Sequence, residues 1–141
     1  MISSIRLDFK PVSDCLIIVI IQGEDMVFGI YARQLREYRR RASKRYSIRQ
    51  IASRVGMEPA YLSKIERGDM PPPSEQAIRR LAAELGEDAD LLLGLAGKVA
   101  ADVCEIITRR PILFAELIRC LSDVPDDQLM VLVIKVRNDE H

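Results

Sequence analysis

Eleven basic residues fall between Phe28 and Gly68: Arg33, Arg36, Arg39, Arg40, Arg41, Lys44, Arg45, Arg49, Arg54, Lys64 and Arg67. Three acids, Glu37, Glu58 and Glu66, oppose them, so the segment carries +8 in a chain whose formal net charge is zero, and the remainder carries −8. Guanidinium and ammonium groups at this density neutralise phosphate, while the acidic remainder repels it and helps orient the approach. A merely solvated face is the plainer reading, and the concentration of charge on one segment disfavours it. Groups for other chemistries are scarce. The single histidine is His141, which removes nearly every zinc site and every histidine-dependent acid–base or nucleophilic mechanism. Cys15, Cys104 and Cys120 are scattered, match no metal-ligand spacing or disulfide framework, and suggest a reducing compartment. With no glycine-rich phosphate loop either, no enzyme activity, cofactor or metal is expected.

The basic groups need elements to hold them. At 141 residues, with 48% hydrophobic and 30% charged content, the chain is a folded one, long enough for one domain or a small domain with an appendage. The stretch from Ser47 to Gly68 carries the clearest signals. Ser47 opens a helix, with Gln50 three residues on to complete a capping box. Ile48, Ile51, Ala52 and Val55 share one face, and Gly56 ends the helix in the left-handed region. Pro59 starts a second helix, Leu62 and Ile65 pack inward, and Gly68 closes it. Two short helices joined by a glycine turn form a helix-turn-helix. Before them, Phe28 to about Arg41 reads as a helix with Ile30, Leu35 and Tyr38 toward the core. After them comes a proline-stiffened linker, 69–73. Ser74 then caps a helix carrying Ile78, Leu81, Ala82 and Leu85 and ended by Gly86. Asp88 caps a last one carrying Leu91, Leu92 and Leu93, with Gly97 beyond it.

Between Phe28 and Leu93 the chain resembles the phage Cro and repressor (XRE-type) family of DNA-binding domains. Ile51-Ala52, Val55-Gly56, Leu62 to Gly68 (LSKIERG) and Leu81-Ala82 carry the resemblance. It implies an all-α fold: a five-helix, lambda-repressor-like domain over 26–97 whose second motif helix enters the major groove. It also implies a structural ion pair, Arg36 with Glu66, that holds the first helix against the recognition helix. Matched residue by residue, Pro59, Ala60, Tyr61, Ser63 and Lys64 fall on base-contacting positions. Lys64 could donate to guanine O6 and N7, Ala60 could touch a thymine methyl, and Tyr61 offers a hydroxyl or a ring. Tyr61 could also be a surface aromatic that simply packs on its helix. Ser47, Arg49 and Gln50 would sit on the phosphate backbone. Lys44 and Arg45, in the connection 39–46, form a phosphate clamp or complement the preceding helix dipole; both roles are compatible. Ile48 replaces a glutamine that many members use on DNA, and Pro59 stands where many have a polar residue, which shifts weight toward DNA shape.

Two readings stand for residues 1–25. The alternation of Ile5, Leu7 and Phe9, a turn at 10–14 and the apolar run 15–21 predict strand–turn–strand. Alternatively Met26 is the natural start, since the family pattern begins after it and Gly23-Glu24-Asp25 requires purine-rich codons that can hide a ribosome-binding sequence. The run is too short for a membrane span, which takes roughly 20 apolar residues, and no signal cleavage site follows it.

Residues 98–141 are expected to form a helical segment: one helix over 99–109, a second from Pro111 with a stripe of Phe114, Leu117, Ile118 and Leu121, and a third after Pro125. The third is apolar all round from Leu129 to Ile134, so it requires burial on most of its surface; strand is the alternative for this β-branched run. So short a segment has little core of its own, and Leu129, Leu132, Val133 and Val136, with the preceding stripe, are expected in a homodimer interface. The alternative is a tail packed on the first domain. Together these features predict a cytoplasmic, sequence-specific, dimeric transcriptional repressor that binds a pseudo-palindromic operator in double-stranded DNA, with no membrane contact. The rival is an antitoxin or adaptor whose C-terminal apolar helix binds a partner protein.

Overall fold

A computed structural model describes residues 27–140; the strand–turn–strand expectation and the Met26 boundary lie outside the described residues. Every regular element described is helical. In order they are α1 (Val27–Arg40), a short 3-10 turn (Lys44–Tyr46), α2 (Ile48–Val55), α3 (Pro59–Glu66), α4 (Glu75–Leu85), α5 (Ala89–Leu95), α6 (Ala101–Arg109), α7 (Pro111–Leu121) and α8 (Asp126–Asp139). The fold is all-α: a five-helix unit followed by a helical C-terminal segment. The chain divides into two compact units, the second beginning at Ala101.

The boundaries of the first unit follow local chemistry. The side chains of Ser47, Ser74 and Asp88 each accept from a backbone N–H of the turn that follows, at 3.3, 3.3 and 2.8 Å for the shortest contact of each. These bonds satisfy donors that a helix start otherwise leaves orphaned. Only half of the predicted box at Ser47 forms: its own N–H donates to the Lys44 carbonyl at 3.0 Å, so Gln50 stays exposed. Gly56 and Gly86 end α2 and α4 at φ +82° and +68°, a region costly for residues with a Cβ.

The core is one cluster drawn from all five helices. Phe28, Tyr31, Ala32 and Leu35 come from α1, Ile51, Ala52 and Val55 from α2, and Leu62 and Ile65 from α3. Ile78, Leu81, Ala82 and Leu85 of α4 and Leu92 and Leu93 of α5 complete it, with Ala100 beyond. Tyr38, expected to face inward, is 52% exposed. The buried stripe of α1 runs 28-31-32-35, and position 38 falls at the edge of that arc.

In the second unit α6 packs on α7, and α8 follows Pro125 with Asp126 and Asp127 in its first turn. The strand alternative for 129–134 is therefore excluded. None of the described residues of this unit is buried.

Candidate nucleic-acid interface

α3 has eight residues, too short to persist alone, so its position depends on what grips it. Leu62 and Ile65 bury their side chains in the core, and Glu66 is buried beside them. Gly29 of α1 lies so close that a Cβ there would overlap the Ile65 carbonyl oxygen. The two helices touch backbone to backbone at this point.

Two turns further along α1, Arg36 donates Nε to Glu66 Oε1 at 2.7 Å and Nη2 to Oε2 at 2.9 Å, a two-pronged pair with both side chains almost fully covered. Its Nη1 also donates to the Tyr46 carbonyl at 3.2 Å. One guanidinium thus ties α1 to α3 and to the turn before α2. The hydrogen bonds Arg36 donates to Glu66 push the Arg36 pKa further up against the opposing effect of burial, so the guanidinium keeps its charge.

Gripped in this way, α3 turns one edge outward. Ala60 and Lys64 are exposed, and Pro59, Tyr61 and Ser63 are half-buried. Tyr61 leans its ring on the core cluster, so part of the side chain serves packing. Lys64 forms no ion pair with another described residue. Lys44, Arg49 and Gln50 are exposed too, and Ser47 is half-covered at the start of α2.

The positive surface is less uniform than the residue count suggests. Arg54 donates Nε to Glu84 Oε2 at 2.6 Å and Nη2 to the Arg45 carbonyl at 2.8 Å. Arg45 itself reaches Glu84 at 3.8 Å. Arg54 is thereby spent inside the protein, fixing the turn that carries Lys44 and Arg45, and Glu84 offsets part of the local charge. Sequence reasoning missed this network because Arg54 and Glu84, which form its centre, lie 30 residues apart on different helices. It also passed over Gly29, although a glycine inside a helix, costing roughly 1 kcal/mol against alanine, is a recognisable sign of close backbone approach.

Tyr31 donates its hydroxyl to Glu87 Oε2 at 2.7 Å, joining α1 to the α4–α5 turn. Burial, then the Glu87 hydrogen bond and charge, push the phenol pKa well up. The described residues contain no cluster of side chains able to hold a metal ion, and none of their helices is long and apolar enough to cross a membrane.

Of the expected interface residues in the second unit, Leu117, Ile118, Leu132, Val133 and Val136 are exposed, and Phe114, Leu121 and Leu129 are half-buried.

Comparison with known proteins agrees with the architecture. The sequence model of a helix-turn-helix domain family matches residues 30–93. The HTH-type transcriptional regulator SlrR of Bacillus subtilis (strain 168) is 47% identical over 53 residues, covering 38% of this chain and 34% of the relative. The match thus spans about a third of that relative's length. No solved structure matches the chain.

Proposed function

With residues 30–93 a helix-turn-helix domain, we propose that the protein is an XRE-type, sequence-specific DNA-binding transcriptional regulator, a dimeric repressor acting in the cytoplasm. The observation that carries this reading is the outward edge of α3. Ala60 and Lys64 are exposed opposite the gripped face of Leu62, Ile65 and Glu66, beside the exposed cations Lys44, Arg45 and Arg49. Laid in the major groove, α3 brings Lys64 to guanine O6 and N7 and Ala60 to a thymine methyl, with Pro59, Tyr61 and Ser63 at its margin. Ser47, Arg49, Gln50, Lys44 and Arg45 meet phosphate oxygens and set the register. Lys44 and Arg49 form no ion pair with another described residue, so neither has to give up a protein partner to do so.

A single domain with so few base contacts binds weakly. Two of them, presented to successive major grooves about 34 Å apart, read a pseudo-palindromic operator. The exposed apolar side chains of the second unit supply a surface for that pairing. They also motivate the rival reading, an antitoxin or adaptor with a foreign protein on the same surface; a stoichiometric partner purifying with the protein from its native host would favour it.

The test is selection of bound sequences from random duplex DNA, with the protein and with Lys64→Ala. Loss of preference at one base position establishes direct readout by Lys64. A uniform fall in affinity with a shallower salt dependence reassigns it to phosphate. Absence of any salt-sensitive duplex binding refutes the proposal.

A further inference from the structure

The connection between α1 and α2 holds a serine among cations. Ser43 is exposed, and so are Arg40, Arg41, Lys44 and Arg45, which stand three and two residues before it and one and two after. No acid occurs between Glu37 and Glu58. The DNA reading uses Lys44 and Arg45 and leaves Arg40, Arg41 and the serine without a part. Ser43 lies outside the regular helices, in extended backbone at φ −159° and ψ 135°. Its Oγ accepts from the Arg45 N–H at 3.2 Å and donates to no described residue. Ser47 also follows two cations, Lys44 and Arg45, at the same spacing, but it is half-covered and its hydroxyl caps α2.

An exposed hydroxyl on extended chain, preceded by two guanidinium groups, is complementary to the acidic substrate groove of a protein kinase, where charge pattern selects the serine. The reaction joins Ser43 Oγ to the γ-phosphorus of a nucleoside triphosphate. The bond to the bridging oxygen breaks, the diphosphate leaves, and the hydroxyl proton passes to a carboxylate base of the kinase. The phosphoserine carries about −2 at neutral pH and three acceptor oxygens. Beside Arg40, Arg41, Lys44 and Arg45 it cancels about half of their charge and draws their donors to itself. Lys44 and Arg45, the two that meet DNA phosphates under the proposed function, are then engaged within the protein. The new charge also sits just past the carbonyl end of α1, where a negative group is unfavourable, so the connection has to shift to bring cations over it.

We infer that Ser43 is a phosphorylation site for a kinase with an acidic substrate groove, and that the phosphate switches off duplex binding by occupying the cationic turn. The inference rests on the DNA reading above and adds a regulation to the same surface. Each phosphate contact contributes about 0.9 to the slope of log affinity against log salt, or about tenfold in affinity at about 0.1 M salt. Losing the contacts of Lys44 and Arg45 should therefore weaken binding to a random-sequence duplex about a hundredfold at that salt and make the slope shallower by about 2.

The experiment treats the full chain with magnesium ATP and a serine kinase whose substrate groove is acidic, and maps the product by tandem mass spectrometry. Phosphate is expected on Ser43 to near completion, with Ser47 unmodified. The salt dependence of duplex binding is then compared for the two forms, with helix content followed by circular dichroism. Ser43→Ala should take up no phosphate there and bind duplex within about threefold of the native chain. Protein recovered from its native host, growing and starved, with phosphatases inhibited, should contain the same phosphopeptide in at least one of the two states. Its absence from both, or modification of Ser47 in place of Ser43, overturns the site. A phosphorylated chain that keeps the affinity and salt slope of the unmodified one overturns the switch. Phosphate on Ser43 of a chain that never binds duplex sinks the DNA reading and the switch with it, whereas duplex binding by a chain refractory at Ser43 sinks only this inference.

Discussion

Replacing either partner of the Arg36–Glu66 pair should nearly unfold the first unit, while replacing both should not. Arg36 is 5% and Glu66 4% exposed, and the two contacts of 2.7 and 2.9 Å use both carboxylate oxygens. Arg36→Met leaves a buried carboxylate with no counter-charge, and Glu66→Leu leaves a buried guanidinium with one backbone acceptor, the Tyr46 carbonyl. Removing one member of such a pair costs about 3–5 kcal/mol, a large part of the 5–15 kcal/mol that holds a domain folded. The double replacement Arg36→Met/Glu66→Leu removes both desolvation costs and fills the space with apolar atoms. It should lie within about 1–2 kcal/mol of the native protein, well short of the sum of the singles. Urea unfolding followed by circular dichroism at 222 nm measures all four corners of the cycle. The second unit adds its own transition, so the amplitude assigned to the first unit must be separated before the cycle is closed. Single replacements costing under about 1 kcal/mol, or a double whose loss equals the sum of the singles, would refute the claim that this pair is the joint between α1 and α3.

The remaining expectations concern the same joints. Gly29→Ala should destabilise the first unit by about 2 kcal/mol despite alanine's better helix propensity, because its Cβ meets the Ile65 carbonyl; a rise in thermal midpoint would show that α1 can move away. Tyr31 keeps its proton more tightly folded than unfolded, so its contribution is intact below pH 10 and declines as pH climbs beyond it, where only the unfolded chain releases the proton. Tyr31→Phe should therefore be less stable than native at pH 8 by about 1 kcal/mol and should lose less stability between pH 9.5 and 11; identical slopes in that window would contradict the burial argument. Deleting residues 111–141 should leave the first unit helical yet sharply weaken specific operator binding, and undiminished operator affinity from a monomeric truncation would remove the second unit from the mechanism.

The parts of the fold that were legible in the sequence are those whose physics is local. Ser47, Ser74 and Asp88 cap with their own side chains, Gly56 and Gly86 adopt the left-handed region, and Ile51, Ala52 and Val55 repeat at helical spacing, so a few residues specify each element. What escaped depends on which neighbour arrives. Tyr38 and Tyr31 are the same residue type on one helix, and only packing sends Tyr31 inward to Glu87 and leaves Tyr38 in solvent. Arg54 counts as a phosphate-seeking cation until Glu84 of another helix claims it. In α8 the valines and isoleucine suit a strand as well as a helix. Pro125 and the two acids of the first turn decide for the helix, because they complement a helix start and nothing comparable favours a strand there.

The edge that would read DNA is set by residues that never touch it. α3 presents Ala60 and Lys64 because Gly29 admits the Ile65 carbonyl, Arg36 holds Glu66, and Leu62 and Ile65 are committed to the core. Arg36 also reaches the Tyr46 carbonyl, and Arg54 the Arg45 carbonyl, so the cationic turn is fixed from the same scaffold as the recognition helix. On the proposed reading, base contacts and phosphate contacts would therefore keep a constant spacing, which would convert a few weak hydrogen bonds into a preference for one register on the duplex. With Pro59 at the head of α3 instead of a polar residue, direct readout of the proposed kind would rest on fewer groups. Under the proposed dimeric reading, the shortfall would come from DNA shape and from a second domain held at a defined separation. On that reading, a rigid joint within the first unit and a fixed pairing through the second would be two halves of one requirement. Loosening either should erode discrimination between sequences before it erodes non-specific affinity, since the phosphate-facing cations remain in place.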